Sequence, residues 1–301
     1  MRTASKRSGP RSWPVDRHGR WRRQLRSFAA LSTVIALLGA AGSAAADTPQ
    51  KFWPAAVEAQ YTLAFNGFKI GHLNARTKVA GNTYDLSGSG EVKMLWGAVT
   101  WTGSSAAKGI FSKGAAPHPS VFEFKWSNKR KEGATRVAFK NRVATDISVV
   151  PPPDPHTDIV PLAPSHKEGI DPVSAVLVLS KADGRPPCDR TVGIFDGKQR
   201  YDLVMTPKRM TQLPSTPKGA PPEIAHVCRV MYVPIAGHRD NEATKTYRSN
   251  RDVEVVMRRV PGSEMFMTHS VTVPSFWGTA TMTAARIEVT TAAGTKVAMV
   301  K

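Results

Sequence analysis

Apolar and polar residues alternate with a period of two along most of the chain, the pattern of half-buried β-strands. In "VEAQYTLAF" Val57, Ala59, Tyr61, Leu63 and Phe65 face one way, and Glu58, Gln60 and Thr62 the other. Asn66-Gly67 follows, and the chain resumes with "FKIGHLNARTKV". Asn-Gly between alternating runs predicts a tight hairpin turn, because both central residues of that turn need positive φ. A second turn at Ala80–Asn82 leads into "TYDLSGSGEVK". "WGAVTWTGSSAAKG", "PSVFEFKWS", "GATRVAFK" and "RVATDISVV" read as further strands, with "NKRKEG" turning between the second and third of these. Through Val150 the chain is expected to form an antiparallel meander.

The alternation then stops. Six prolines lie between Pro151 and Pro164. Proline lacks the donor that a central strand needs, so residues 150–168 read as an extended surface segment, either a linker or a strap. The strap is preferred, since neither half of the chain closes neatly alone. "DPVSAVLVLSKADG" then predicts a helix over about residues 171–182, with Asp171 as N-cap, Pro172 in the first turn and Asp183-Gly184 as its end. It has almost no polar face, so it should be largely buried. "RTVGIFDGKQRYDLVM" has the form of a hairpin around Asp196-Gly197. "TPKRMTQLPSTPKGAPPE" reads as another proline-rich loop. Strands resume in "IAHVCRVMYVPI", "DVEVVMRRV", "MFMTHSVTV", "GTATMTAARIEVTT" and "KVAMV". The expected fold is mainly β: an antiparallel curved sheet, or an open or half barrel, around one short buried helix, in a single β-rich domain over residues 47–301.

Residues 1–46 have the plan of a secretory signal peptide. Nine Lys/Arg and one acid precede the uncharged run Phe28–Gly42, and Ala44-Ala45-Ala46 offers a cleavage signal after Ala46. The run is shorter than the roughly 20 residues of a membrane-spanning helix. Arg22-Arg23 is expected by chance in so basic a leader. The whole chain has 42 Lys+Arg against 23 Asp+Glu, a net of +19. Without the nine bases and one acid of residues 1–46, 33 and 22 remain, a net of +11. These charges are scattered, and the longest basic run is Asn128–Lys131. With no recognition helix or aromatic-basic motif, nucleic acid is not an expected partner. Lipid or an anionic envelope polymer is.

Cys188 and Cys228 are the chain's two cysteines. In an exported protein a disulfide between them is the default. No C-x-x-C spacing supports a redox or metal pair. Catalytic motifs are equally scarce: neither G-x-S-x-G nor H-E-x-x-H occurs. Asp154, His156, Asp158 and His166 have metal-like spacing, but in a proline-rich surface segment such residues are usually solvated. No metal or other cofactor is expected. Glu91, Glu123 and Asp146 are carboxylates that could converge from separate strands for glycoside hydrolysis.

"DPVSAVLVL", "PCDRTVGIFDGKQRYDLVM", "HVCRVMYVPIAGHR" and the opening "YTLAFNGFKIGHL" together resemble the domain of unknown function 3108. The resemblance covers about Ala56 to Val300, and its specific part is the hairpin from Cys188. It implies a β-rich envelope protein of Gram-negative bacteria, and it supplies no catalytic residues to carry over. The hairpin reads either as a turn with cross-strand pairing or as a polar patch for a ligand; on the second reading the candidate ligand-binding residues are Asp196, Arg200 and Tyr201, with Leu177 of the helix. The expected function is non-enzymatic: holding or carrying a lipid or other amphiphile in the periplasm, or a role in envelope assembly. The alternative is an envelope hydrolase acting on a glycan or lipid.

Overall fold

The structure is a computed structural model, and it describes residues 53–300 apart from 113–115, 154, 182, 183, 185, 215–218, 220, 262 and 264. The expected leader and its cleavage point at Ala46 lie outside the described residues. In chain order the strands are β1 (Ala56–Phe65), β2 (Phe68–Ala80), β3 (Thr83–Met94), β4 (Val99–Phe111), β5 (Pro117–Asn128), β6 (Glu132–Lys140) and β7 (Val143–Val150). After α1 (Ala175–Ser180) come β8 (Arg190–Phe195), β9 (Arg200–Leu213) and β10 (Glu223–Ala236). Then follow α2 (Glu242–Ser249), β11 (Glu254–Arg259), β12 (Phe266–Ser275), β13 (Gly278–Thr290) and β14 (Lys296–Val300).

All these strands join one antiparallel sheet, ordered β7-β6-β5-β4-β3-β2-β1-β13-β12-β11-β10-β9-β8, with β14 added to β13. The two meanders meet at β1 and β13, where Ala56 faces Thr290 and Phe65 faces Ala280. The free edges β7 and β8 approach each other around a short segment. Glu168 bridges Val143, and Ile170 lies parallel to Ile194, so the sheet nearly closes into a barrel. Near-closure removes most of the exposed strand edge that would otherwise invite aggregation. The Asn66-Gly67 turn has the expected positive φ at both residues, 47° and 83°.

Alternation sends one face of each strand inward. Val57, Ala59 and Tyr61 of β1, Tyr84 and Leu86 of β3, and Phe122, Val137 and Phe139 of β5 and β6 are all buried. The outward face carries cross-strand ion pairs: Arg76–Glu58 at 2.8 Å, Lys108–Asp85 at 3.1 Å, and Arg136 with Glu123 at 3.4 Å and Asp146 at 3.6 Å. Glu123 and Asp146 thus meet on an outer-face arginine, while Glu91 pairs with Lys93 on β3. The proline-rich segment after Val150 hydrogen-bonds to residues beyond β10. Val160 N donates to His238 O at 2.9 Å, and Gly237 N donates back to Val160 O at 2.8 Å.

Three expectations need correction. The helix begins later than Asp171, although Asp171 does cap the turn that leads into it. Asp171 Oδ1 accepts from Val173 N and Ser174 N at 2.9 and 2.8 Å. A second helix, α2, also exists, capped by Asn241, whose Oδ1 accepts from Thr244 N at 3.0 Å. Finally, β9 runs on to Leu213, through what reads as a proline-rich loop. Pro207 lies opposite Cys228, where the register shifts, and a bulge tolerates the missing donor.

Cys188 and Cys228 form a disulfide, packed among Met205, Met257 and Phe266. Joining positions 40 residues apart restricts the unfolded chain by about 4 kcal/mol in the chain-entropy account. Arg190, two residues on, explains the polar half of "PCDR". Its guanidinium is buried and donates to the carbonyls of Val178, at 3.3 Å, and Lys181 at the end of α1. A cation there satisfies carbonyls that the helix itself leaves open. The disulfide and Arg190 therefore fix α1 inside the curved sheet.

Candidate functional site

The concave face is not filled everywhere. A cleft of about 460 Å³ opens between the sheet, the start of α1 and the β8–β9 turn. Leu73 and Ala75 of β2, Gly88 of β3, Ser105 of β4, Phe122 and Phe124 of β5 and Thr135 of β6 form its floor. The register explains their assembly. Ala75 faces Gly88, Gly88 faces Ser105, Ser105 faces Phe124 and Phe124 faces Thr135, so one rung across five strands is inward-facing and mostly small. Small residues at the rung's centre leave room that the flanking phenylalanines do not fill.

Pro172, Val173 and Val176 form the opposite wall. Val176 is 50% exposed, against 2% for its neighbour Leu177. A helix rotates about 100° per residue, so the two side chains point in different directions. Leu177 packs into the main core with Val57, Leu86 and Ile287. It is therefore a core residue and does not line the cleft, while Val173 and Val176 do. Tyr84 Oη lies 3.0 Å from Ser174 Oγ, which ties this end of the helix to β3.

The third wall is the β8–β9 turn. Asp196 Oδ1 accepts from Lys198 N at 2.8 Å and Gln199 N at 2.7 Å, closing the turn, and Asp196 and Lys198 both line the cleft. Burial pushes the Asp196 carboxyl above its ordinary range, with the Gln199 and Lys198 amides and the Lys198 charge pulling the other way. Gly197 has φ 96°, and a Cβ there would meet the Thr135 and Val137 side chains at 2.7 and 2.9 Å. Only glycine lets the turn lie this close to β6.

The other hairpin candidates point elsewhere. Arg200 Nη1 bonds Asp202 Oδ1 at 2.6 Å and the Tyr201 carbonyl at 2.6 Å. Tyr201 packs with Ile194 and Leu203, and its ring lies 5.3 Å from that of Tyr232. Burial, then Asp196 and Tyr232, push the Tyr201 hydroxyl well above its ordinary pKa. Of the four candidates the structure brings Asp196 to the cleft, with its charge acting on the Tyr201 hydroxyl; Arg200 is engaged by Asp202 and Leu177 by the core. Phe122, Phe124, Val173 and Val176 are the residues that sequence reasoning missed. The signal for the first two was present, since both sit on the inward parity of "PSVFEFKWS".

Two other depressions differ in character. One, of about 510 Å³ across β4–β6, presents outward-facing Thr102, Ser104, Ser127 and Glu132. Another, of about 460 Å³ beside α2, is lined by Leu203, Val230, Val253 and Val273 together with Tyr232 and Gln199. The first lacks the facing apolar walls of the cleft at α1, and the second lies outside the concave space that α1 borders. Among the described residues, no three His, Cys, Asp or Glu side chains cluster as metal ligands would. Asp158 pairs instead with Arg239 at 3.0 Å, and His166 Nδ1 accepts from Ala163 N at 3.1 Å; Asp154 lies outside the described residues. No described helix is long and apolar enough to cross a membrane.

No curated protein and no solved structure matches the chain. A family model described as "Protein of unknown function (DUF3108)" matches residues 60–301, which take in the cleft, the disulfide and the sheet from β1 to β14. On that coverage, the chain belongs to the DUF3108 family.

Proposed function

We propose that the protein holds the apolar part of an amphiphile, a lipid or lipid-like envelope component, in the cleft beside α1. The observation that carries this reading is Val176, half exposed on a helix whose other residues are buried or partly buried, and facing a space of about 460 Å³ floored by Phe122 and Phe124. Apolar walls left unpacked give up burial, and a hydrocarbon chain restores it at about 0.8 kcal/mol for each CH₂ covered. The volume falls in the ordinary range for small-molecule sites. Asp196 and Lys198 stand at one wall, where they would meet the polar end of such a ligand. The periplasm is the proposed location, and the Cys188–Cys228 disulfide suits an oxidising compartment. In this reading the protein is a carrier or an assembly factor of the envelope, and it performs no chemistry on its cargo.

A titration with a fluorescent long-chain acyl probe tests the reading. Val176→Lys puts an ammonium at a half-exposed position, so the fold should persist while probe affinity falls by about tenfold or more, the cost of setting a charge against the chain. Equal affinity in the two proteins, with both folded, would contradict it.

A further inference from the structure

Three hairpin tips at one end of the sheet carry large apolar side chains into solvent. Phe68 follows the β1–β2 turn, Leu95 and Trp96 form the β3–β4 turn, and Phe276 and Trp277 form the β12–β13 turn. Leu95 is 64% exposed, the least of the five, and Trp96 is fully exposed. The register sets these tips side by side. Asn66 N donates to Thr279 O at 2.9 Å, and Asn66 Oδ1 accepts from Thr279 N at 2.8 Å, which ties the β1–β2 turn to the β12–β13 turn. Gly71 faces Val92 near the ends of β2 and β3, so the β1–β2 and β3–β4 turns project from the same end of neighbouring strands.

The next tip along this end is basic. Asn128 pairs with Trp101 just past the β3–β4 turn, and the exposed Lys129, Arg130 and Lys131 then turn the chain into β6. Glu132 is the one acid beside them in the sequence, and Lys69 adds a further exposed cation beside Phe68.

The β3–β4 turn is also strained. Leu95 and Trp96 have φ of 50° and 52°, the left-handed region that disfavours bulky side chains and suits glycine or asparagine. The neighbouring turn uses Asn66-Gly67 for the same purpose. Strained residues with apolar side chains mostly in solvent are what a contact made outside the fold would account for.

We propose that this end of the barrel docks on an anionic lipid bilayer. Exposed tryptophan and phenylalanine enter the headgroup region, where a large ring with a polar or wet edge is most stable. The adjacent lysines and arginine meet anionic headgroups. Charge decides the occupant: a second copy would present the same basic tip and repel. The docking end shares no residue with the cleft, so the proposal holds whether or not the cleft carries an amphiphile.

Co-flotation of the full chain with vesicles tests it, using pure phosphatidylcholine and an equal mixture with phosphatidylglycerol. The protein should bind the mixed vesicles, less so at high salt. Changing Lys129, Arg130 and Lys131 together to serine should weaken this by about a hundredfold. Leu95→Asn combined with Trp96→Gly is the decisive variant. It should melt at or above the wild-type temperature, because the turn is relieved, yet bind mixed vesicles about tenfold or more weakly. Phe276→Ser with Trp277→Ser, on fully solvated positions, should lose binding likewise. Wild-type binding to neither vesicle would overturn the proposal, as would unchanged binding in both tip variants. So would binding that Ala75→Phe, which fills the cleft, removes while the tip variants retain it.

Discussion

Asp196 combines two roles that its sequence context expresses unequally. Asp-Gly between two strands announces a turn, and the carboxylate does close one through the Lys198 and Gln199 amides. Its burial against β5 and β6 comes from strands about sixty to eighty residues away, and no local pattern reports it. Burial raises its pKa in the folded protein, the backbone donors offsetting only part of that. The folded state therefore holds the proton more tightly than the unfolded chain. The stability this contributes is fully present below the unfolded value, about 3.9, and is lost as pH rises through the higher folded value. Asp196→Asn keeps the Oδ1 acceptor and removes the charge. Denaturant melts should find it more stable than wild type near neutral pH, with the advantage vanishing as pH falls below about 4. A variant less stable at neutral pH, or a gain that ignores pH, would contradict this account of the carboxyl.

At the scale of elements, α1 shows where periodicity runs out. In "AVLVLS" the apolar residues cover every direction, so the pattern predicts burial without saying which side chain meets the core and which the cleft. The structure divides them: Leu177 to the core, Val176 to the cleft. Leu177→Ala should therefore cost about 2–5 kcal/mol, as a core truncation does, while probe affinity changes little. A small stability loss with a collapse in affinity would place Leu177 in the ligand site instead. Other elements were plainer. Alternation announced the strands from "VEAQYTLAF" to "KVAMV", and the Asn66-Gly67 hairpin follows from its turn chemistry alone. The α2 helix went unread, although Asn241 stands as a cap before "EATKTYRS". The passage of β9 through Pro207 was not legible, because a bulge depends on the partner strand.

For the whole molecule, what the sequence withholds is pairing. A meander joins neighbours in order, and that much follows from short turns. The junction of β1 with β13 spans more than two hundred residues, and residues 168–170, bridging to β7 and β8, bring the sheet close to closure across its own edges. Those two contacts make a flat meander into a concave surface, and with it the cleft. The disulfide and Arg190 then hold α1 over that surface without filling it. Native mass spectrometry of the protein extracted gently from the cell tests the central claim most directly, with wild type and Ala75→Phe compared. Ala75 lies on the cleft floor, so a phenylalanine there occupies the space and leaves the sheet intact. The account predicts a wild-type population carrying the added mass of a lipid or similar amphiphile, and a folded Ala75→Phe protein carrying almost none. A wild-type protein found only at its own mass, or equal added mass in both proteins, would contradict it.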